Sequence, residues 1–200
     1  MRAWLAKALA QFDAMMHLVS NSSVELDGDS ARARTYVLNP MGMKQADGSL
    51  IVRDGRVVGS GLVGQAFTSA RYLQGRPAAV DYDATGSGAS NLGPLNPDLI
   101  AETSERAGAW RAATGSADVP ADAVTASASG LDPHISPANA LAQARRIAET
   151  RGADIDQVRA VIANHIEGRT FGVLGQPRVN VLQTNLALDA AFAPEQPAPQ

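Results

Sequence analysis

VPADAVTASASGLDPHISP, residues 119–137, is the stretch on which the fold of this chain turns. It closes on Ser136-Pro137, a hydroxyl cap followed by a proline whose fixed φ suits the first helical turn. Ahead of that cap it crowds Thr125, Ser127, Ser129, Gly130, Asp132 and His134 into one short loop. A second run, DYDATGSGASNLGPLNP at 81–97, has the same character. It is small, polar and glycine-rich, and it ends in Asn96-Pro97 ahead of another helix. Two dense loops, each delivering the chain into a proline-started helix, predict helices anchored at their N-termini to a rigid polar surface.

Working outward, Asn96-Pro97 predicts a helix to about Ala113, with Gly115 ending it. Ser136-Pro137 predicts a second helix to about Arg151, with Gly152 as its left-handed stop. Asp154 or Asp156 caps a third, closed by Gly168. Val179 to Leu182 reads as a returning strand. On the N-terminal side, Ser49–Arg53 and Arg56–Ser60 flank Asp54-Gly55 and predict a hairpin. Residues 60–95 show little periodicity and read as loops set on strands. The expected fold class is α+β.

Residues 2–18 read as an amphipathic helix, with Trp4, Leu5, Ala8, Leu9, Phe12, Met15 and Met16 at three- and four-residue spacing. Val24–Leu26 and Ala31–Leu38 predict a further hairpin turning at Asp27-Gly28. Asn39-Pro40-Met41-Gly42 is a natural junction. The expected organisation is therefore a helix-and-hairpin segment at 1–43, a domain at 44–190 and a proline-rich disordered tail at 191–200.

Composition narrows the function classes. The chain of 200 residues is 45% hydrophobic but only 4% aromatic, so its core must be built from Ala, Val, Leu and Ile. A net charge of −3 gives no overall field to recruit nucleic acid or an anionic membrane surface. The absence of cysteine excludes disulfides and thiolate metal sites. No window approaches the ~18 uninterrupted apolar residues of a membrane span, and Asp13 interrupts the only apolar region that could serve as a signal peptide. Composition alone predicts a soluble chain.

Several motifs mimic chemistry. Gly59-Ser-Gly61-Leu-Val-Gly64 satisfies the dinucleotide pattern, but that pattern needs a helix opening at its glycines, and QAFTSARYLQGRP has poor helical period. Asp81, Asp83, Thr85 and Gly86 imitate a calcium loop, yet Leu92 stands where the bidentate Glu belongs. Short polar side chains bonding to their own backbone is the preferred reading. His17, His134 and His165 lie too far apart for a local zinc pair. Ser127, Ser129, Asp132 and His134 suggest a Ser/His/Asp site, but residues so close in sequence rarely converge with a base between nucleophile and orienter. The expectation is that Asp132 and the hydroxyls cap loop amides while His134 bonds to backbone.

Taken together, GSLIVRDGRVVGSGLVGQ (48–65), GRP (75–77), the 81–97 and 119–137 runs and LGQPRVNVL (174–182) resemble the C subunit of the Kdp potassium-transporting ATPase, the KdpC family, over about residues 44–189. SGASNLGP (87–94) and SASGLDPHISP (127–137) match that family's loops, with Ala89 where a second glycine is usual. The resemblance implies an accessory, non-catalytic subunit of a high-affinity ATP-driven potassium importer. It would support assembly with the potassium-conducting and ATP-hydrolysing subunits and raise the affinity of the latter for ATP. It would have no cofactor of its own, with ATP at most shared with the catalytic subunit. It would sit at the inner membrane through the complex, although relatives open with a spanning helix that is not read here. The expected contact residues are Ser87, Gly88, Ser90, Asn91, Gly93, Ser127, Ser129, Asp132 and His134.

HLVSNSSVELDGDSARARTYV (17–37), after its helix, resembles a fragment of an NTF2-like (SnoaL-like) domain. That implies a rival function, a soluble small-molecule binder or enzyme with His17, Asp27 and Asp29 as its polar groups. A recombined or designed chain, in which a soluble element replaces the anchor, is the other alternative.

Overall fold

The computed structural model describes residues 19–27, 30–37 and 49–192. The chain divides into two compact units, residues 1–47 and 48–200. In the first, β1 (Val19–Asp27) and β2 (Ser30–Val37) form an antiparallel hairpin in which Asp27 pairs with Ser30. β1 starts earlier than the predicted Val24, because the polar VSNSS run also enters the ladder. Main-chain pairing extends a strand beyond its apolar alternation. The predicted helix over 2–18 and the predicted tail beyond Phe192 lie outside the described residues.

In the second unit, β3 (Leu50–Arg53) and β4 (Arg56–Ser60) pair antiparallel around Asp54 (φ 51°) and Gly55 (φ 73°). Two consecutive left-handed residues make the turn whose twist matches a hairpin. After β4 the chain runs to residue 96 without an α-helix, relieved by one 3-10 turn at Ala84–Gly86.

Six helical segments follow among the described residues. They are α1 (Pro97–Thr114), α2 (Ala121–Val124), α3 (Pro137–Ala142), α4 (Ala144–Arg151), α5 (Ile155–Asn164) and α6 (Val181–Ala191). The short strands β5 (His134–Ile135), β6 (Ile166–Glu167) and β7 (Arg178–Asn180) form an antiparallel sheet in the order β5-β7-β6. The arrangement is α+β, as the sequence predicts.

The capping chemistry holds. Asn96 Oδ1 accepts from Asp98 N at 2.8 Å, and Gly115 ends α1 in the left-handed region. Ser136 Oγ accepts from Asn139 N, Asp154 caps α5, and Gly152 ends α4. Three expectations need correction. The helix predicted over 137–151 is interrupted at Gln143, so α3 and α4 are separate. α5 ends at Asn164 rather than Gly168, because the chain turns there into β6. The strand predicted at 179–182 stops at Asn180, whose side chain accepts from Gln183 N and starts α6.

The core gathers Leu73, Ile135, Ala140, Ala144, Ile147, Val158, Ile162, Val179, Val181 and Leu188, with Phe67 and Phe192 at its margin. It is aliphatic, as the scarcity of aromatic residues requires. The irregular segment after β4 is fastened over this core by buried side-chain amides. Asn180 Nδ2 donates to Gly61 O at 2.7 Å. Gln143 Oε1 accepts from Gln74 N at 2.9 Å while its Nε2 donates to Gln74 O at 3.1 Å. A segment with no ladder of its own thereby has its buried main-chain groups satisfied.

Candidate subunit-contact surface

The two loops singled out by the sequence meet. Gly88 N donates to Ser129 O at 3.0 Å, and Ser87 Oγ donates to the same oxygen at 2.9 Å. Within the second loop, Ser127 Oγ accepts from Gly130 N at 3.2 Å and Ser129 Oγ from Leu131 N at 3.1 Å. Ser127 N in turn donates to Pro77 O at 2.9 Å. These hydroxyls do the work of backbone partners, so the loop is rigid without belonging to a sheet.

Gly130 shows why the joint is tight. Its φ is +70°, and a Cβ there would run into Val80 Cγ2 and sit 2.9 Å from Gly88 O. Only glycine meets both demands. Gly64 is a second close approach, since its N–H donates to Leu131 O at 2.8 Å and a Cβ would lie 2.7 Å from Asp132 O. The glycine-rich run at 59–64 is thus a packing turn beneath the loop, and no helix opens from it.

Asp132 is the charged centre. Its Oδ2 lies 3.2 Å from Arg76 Nη1, and its Oδ1 accepts from His134 N at 2.9 Å. Arg76 Nη2 reaches the carbonyls of Thr125 and Ala126 at 3.4 Å. Burial pushes the Asp132 carboxyl up, but His134 and the Arg76 guanidinium outweigh it and hold it below the usual carboxylate range. Tyr82 OH donates to Arg76 O at 2.6 Å, and its hydroxyl is pushed up by burial first and by the Asp132 charge second. The His134 ring departs from expectation. Its Nδ1 faces Asp132 Oδ1 at 3.7 Å, a charge contact when protonated and too long for a hydrogen bond.

A second carboxylate braces the helix start. Asp122 accepts from Ser136 N at 2.7 Å, Ser136 Oγ at 2.9 Å and Asn139 Nδ2 at 3.1 Å. Arg76, Tyr82 and Asp122 were not among the residues the sequence singled out. Arg76 carries one visible signal, its place in the GRP run, whereas Tyr82 and Asp122 are recognised only by what they touch.

Of the expected contact residues, Ser87, Gly88, Ser127, Ser129, Asp132 and His134 come together in this joint. Asn91 is left-handed (φ 55°) and its Nδ2 donates to Ala89 O, so it shapes its own loop. Ser90, Asn91 and Gly93 are exposed, as are Thr125 and Ala128 on the facing loop. Asp83 Oδ1 accepts from Thr85 N and Thr85 Oγ1 at 2.8 and 2.7 Å, the local turn chemistry preferred over a calcium loop. The crevice beneath, lined in part by Val63, Phe67, Tyr82, Asp132 and Leu182, encloses about 10 Å³. That is room for about one water molecule, so the loops form a braced surface and not a ligand cavity.

Comparison with known proteins decides the lineage. The family model "K+-transporting ATPase, c chain" (KdpC) matches residues 33–190. The chain belongs to the KdpC family. A potassium-transporting ATPase KdpC subunit from Cereibacter sphaeroides is 58% identical over 149 residues, covering 74% of this chain and 80% of the relative. The KdpC subunit of Sorangium cellulosum is 56% identical over 152 residues and that of Burkholderia ambifaria 54% over 154, each with the same coverage. A SnoaL-like domain model matches residues 1–60, in line with the second resemblance. KdpC proteins are subunits of a membrane-associated pump, and no helix among the described residues is long and apolar enough to cross a membrane.

Proposed function

We propose that this chain is the accessory C subunit of a high-affinity, ATP-driven potassium importer, and that the joined loops 87–93 and 125–134 are its contact surface for the pump. The observation that carries this reading is the Gly88–Ser129 joint braced by Arg76 and Asp132. It holds exposed Ser90, Asn91, Thr125 and Ala128 on a pre-formed surface, and a rigid surface loses little conformational freedom on binding. The partners are the potassium-conducting and ATP-hydrolysing subunits.

The role is non-catalytic. Ser127 and Ser129 are occupied by loop amides and Asp132 by Arg76 and the His134 amide, which leaves no activated nucleophile among them. The chain has no cofactor of its own. ATP is held by the catalytic subunit, and this subunit raises its affinity by binding the pump's ATP-competent arrangement more tightly than the others. A contact shifts an equilibrium only by such a difference. The test is ATP hydrolysis by the reconstituted pump with and without this chain. The KM for ATP falls when the chain is added; an unchanged KM with the chain stably bound refutes the affinity role.

A second reading rests on the SnoaL-like match over 1–60 and the β1–β2 hairpin. There the N-terminal segment binds a small apolar molecule. Calorimetry on the full chain, showing ligand uptake with no affinity for pump subunits, would favour it.

A further inference from the structure

The connection between β6 and β7 presents Phe171, Val173 and Leu174, which are 74%, 71% and 59% exposed. Three large apolar side chains within four positions add nothing to the core, and burying them elsewhere would be favourable. The loop that carries them is well formed. Thr170 and Leu174 exchange both main-chain hydrogen bonds at 2.9 Å, and Gly172 N donates to Arg169 O at 2.9 Å. Phe171 itself is left-handed (φ 54°), followed by Gly172 (φ 76°), with Gly175 (φ 74°) closing the turn. A bulky side chain in that region is strained. The fold therefore tolerates both backbone strain and an exposed ring at one residue.

Charge narrows the occupant. From Gly168 through Leu188 the chain holds no carboxylate, and its charged residues are Arg169 and Arg178. Arg178 is paired with Glu167 at 2.8 Å. Among the described residues Arg169 forms no ion pair; its Nη2 donates to the neutral Gln176 Oε1 at 3.1 Å, beside the apolar tip. A convex apolar knob with an adjoining cation complements a surface that is anionic at its face and apolar just beneath.

We propose that residues 169–175 form a lipid-contact loop. Phe171, Val173 and Leu174 enter the headgroup–acyl boundary of a bilayer, and Arg169 meets an anionic phospholipid phosphate. One cation and three apolar side chains give weak, reversible contact, suited to orienting a subunit and not to anchoring it. The inference goes beyond the pump-subunit reading and does not depend on the loops 87–93 and 125–134.

The chain has no cysteine, so Val173→Cys labelled with a polarity-sensitive fluorophore reports on the tip alone. The full chain is mixed with vesicles of phosphatidylcholine and phosphatidylglycerol, with Gln157→Cys on exposed α5 as the control site. The expected result is a blue shift at position 173, none at 157, and loss of the shift when Phe171→Ser and Leu174→Ser are added. No shift with vesicles overturns the proposal. A shift seen only on adding solubilised pump subunits also overturns it and identifies a protein socket. Absence of any shift leaves the proposed function standing, whereas a protein socket keeps the pump-subunit reading and adds residues 169–175 to its contact surface.

Discussion

Asn185 holds Leu73 by both of its main-chain groups: Leu73 N donates to Asn185 Oδ1 at 2.7 Å, and Asn185 Nδ2 donates to Leu73 O at 3.0 Å. Both residues are buried, and they lie 112 positions apart. The next residue, Gln74, is held the same way by Gln143. The amides of α6 and of the α3–α4 junction thus grip adjacent residues of an irregular segment as a neighbouring strand would.

Replacing Asn185 by Ala leaves a buried N–H and C=O without partners. Each such group costs about 1–3 kcal/mol, so Asn185→Ala is expected to destabilise by about 2–6 kcal/mol. Urea unfolding followed by far-UV circular dichroism measures it. A loss under half a kilocalorie would mean that water enters and replaces the amide.

Gly130→Ala is expected to destabilise through two separable effects, the left-handed backbone and the collision with Val80 and Gly88 O. The first is worth about 1–2 kcal/mol. Adding Val80→Ala removes the side-chain collision but neither the backbone cost nor the approach to Gly88 O. The double variant should therefore lose less than the sum of the two single losses, read from their unfolding midpoints. Strict additivity would show that the loops are not packed as described.

The Asp132 carboxyl is held below its ordinary range, so it binds its proton less readily in the folded chain than in the unfolded one. The stability it contributes is complete above the unfolded value of about 3.9 and is lost as pH falls through the lower folded value. Unfolding measured across that acidic window should fall more steeply for the wild type than for Asp132→Asn. Parallel curves would show that Arg76 and His134 do not favour the charged form.

What the sequence made legible was governed by neighbours in the chain. Asn96-Pro97, Ser136-Pro137, Asp54-Gly55 and Gly152 each act within a few residues, and each appears where expected. The first two residues of α6, Val181 and Leu182, were read as the end of a strand because β-branched Val179 and Val181 dominate that run, while the Asn180 cap sits between them. The break at Gln143 was not visible, since that side chain is held by Gln74 from 69 residues away. The same holds for the site. Its loops were legible as dense, polar and capped, but Arg76, Tyr82 and Asp122 take their roles from contacts that no local pattern records.

The most direct test of the contact surface changes its exposed positions and leaves its internal bonds alone. Ser90→Arg and Ala128→Arg place bulk and charge on the two facing loops at exposed side chains. The double variant is co-expressed with tagged pump subunits, and its recovery in the purified complex is compared with that of the wild type at matched unfolding midpoint. If the joined loops are the contact surface, recovery falls at least about tenfold, the equivalent of about 1.4 kcal/mol of lost contact. Undiminished recovery, with an unchanged KM for ATP, would contradict it.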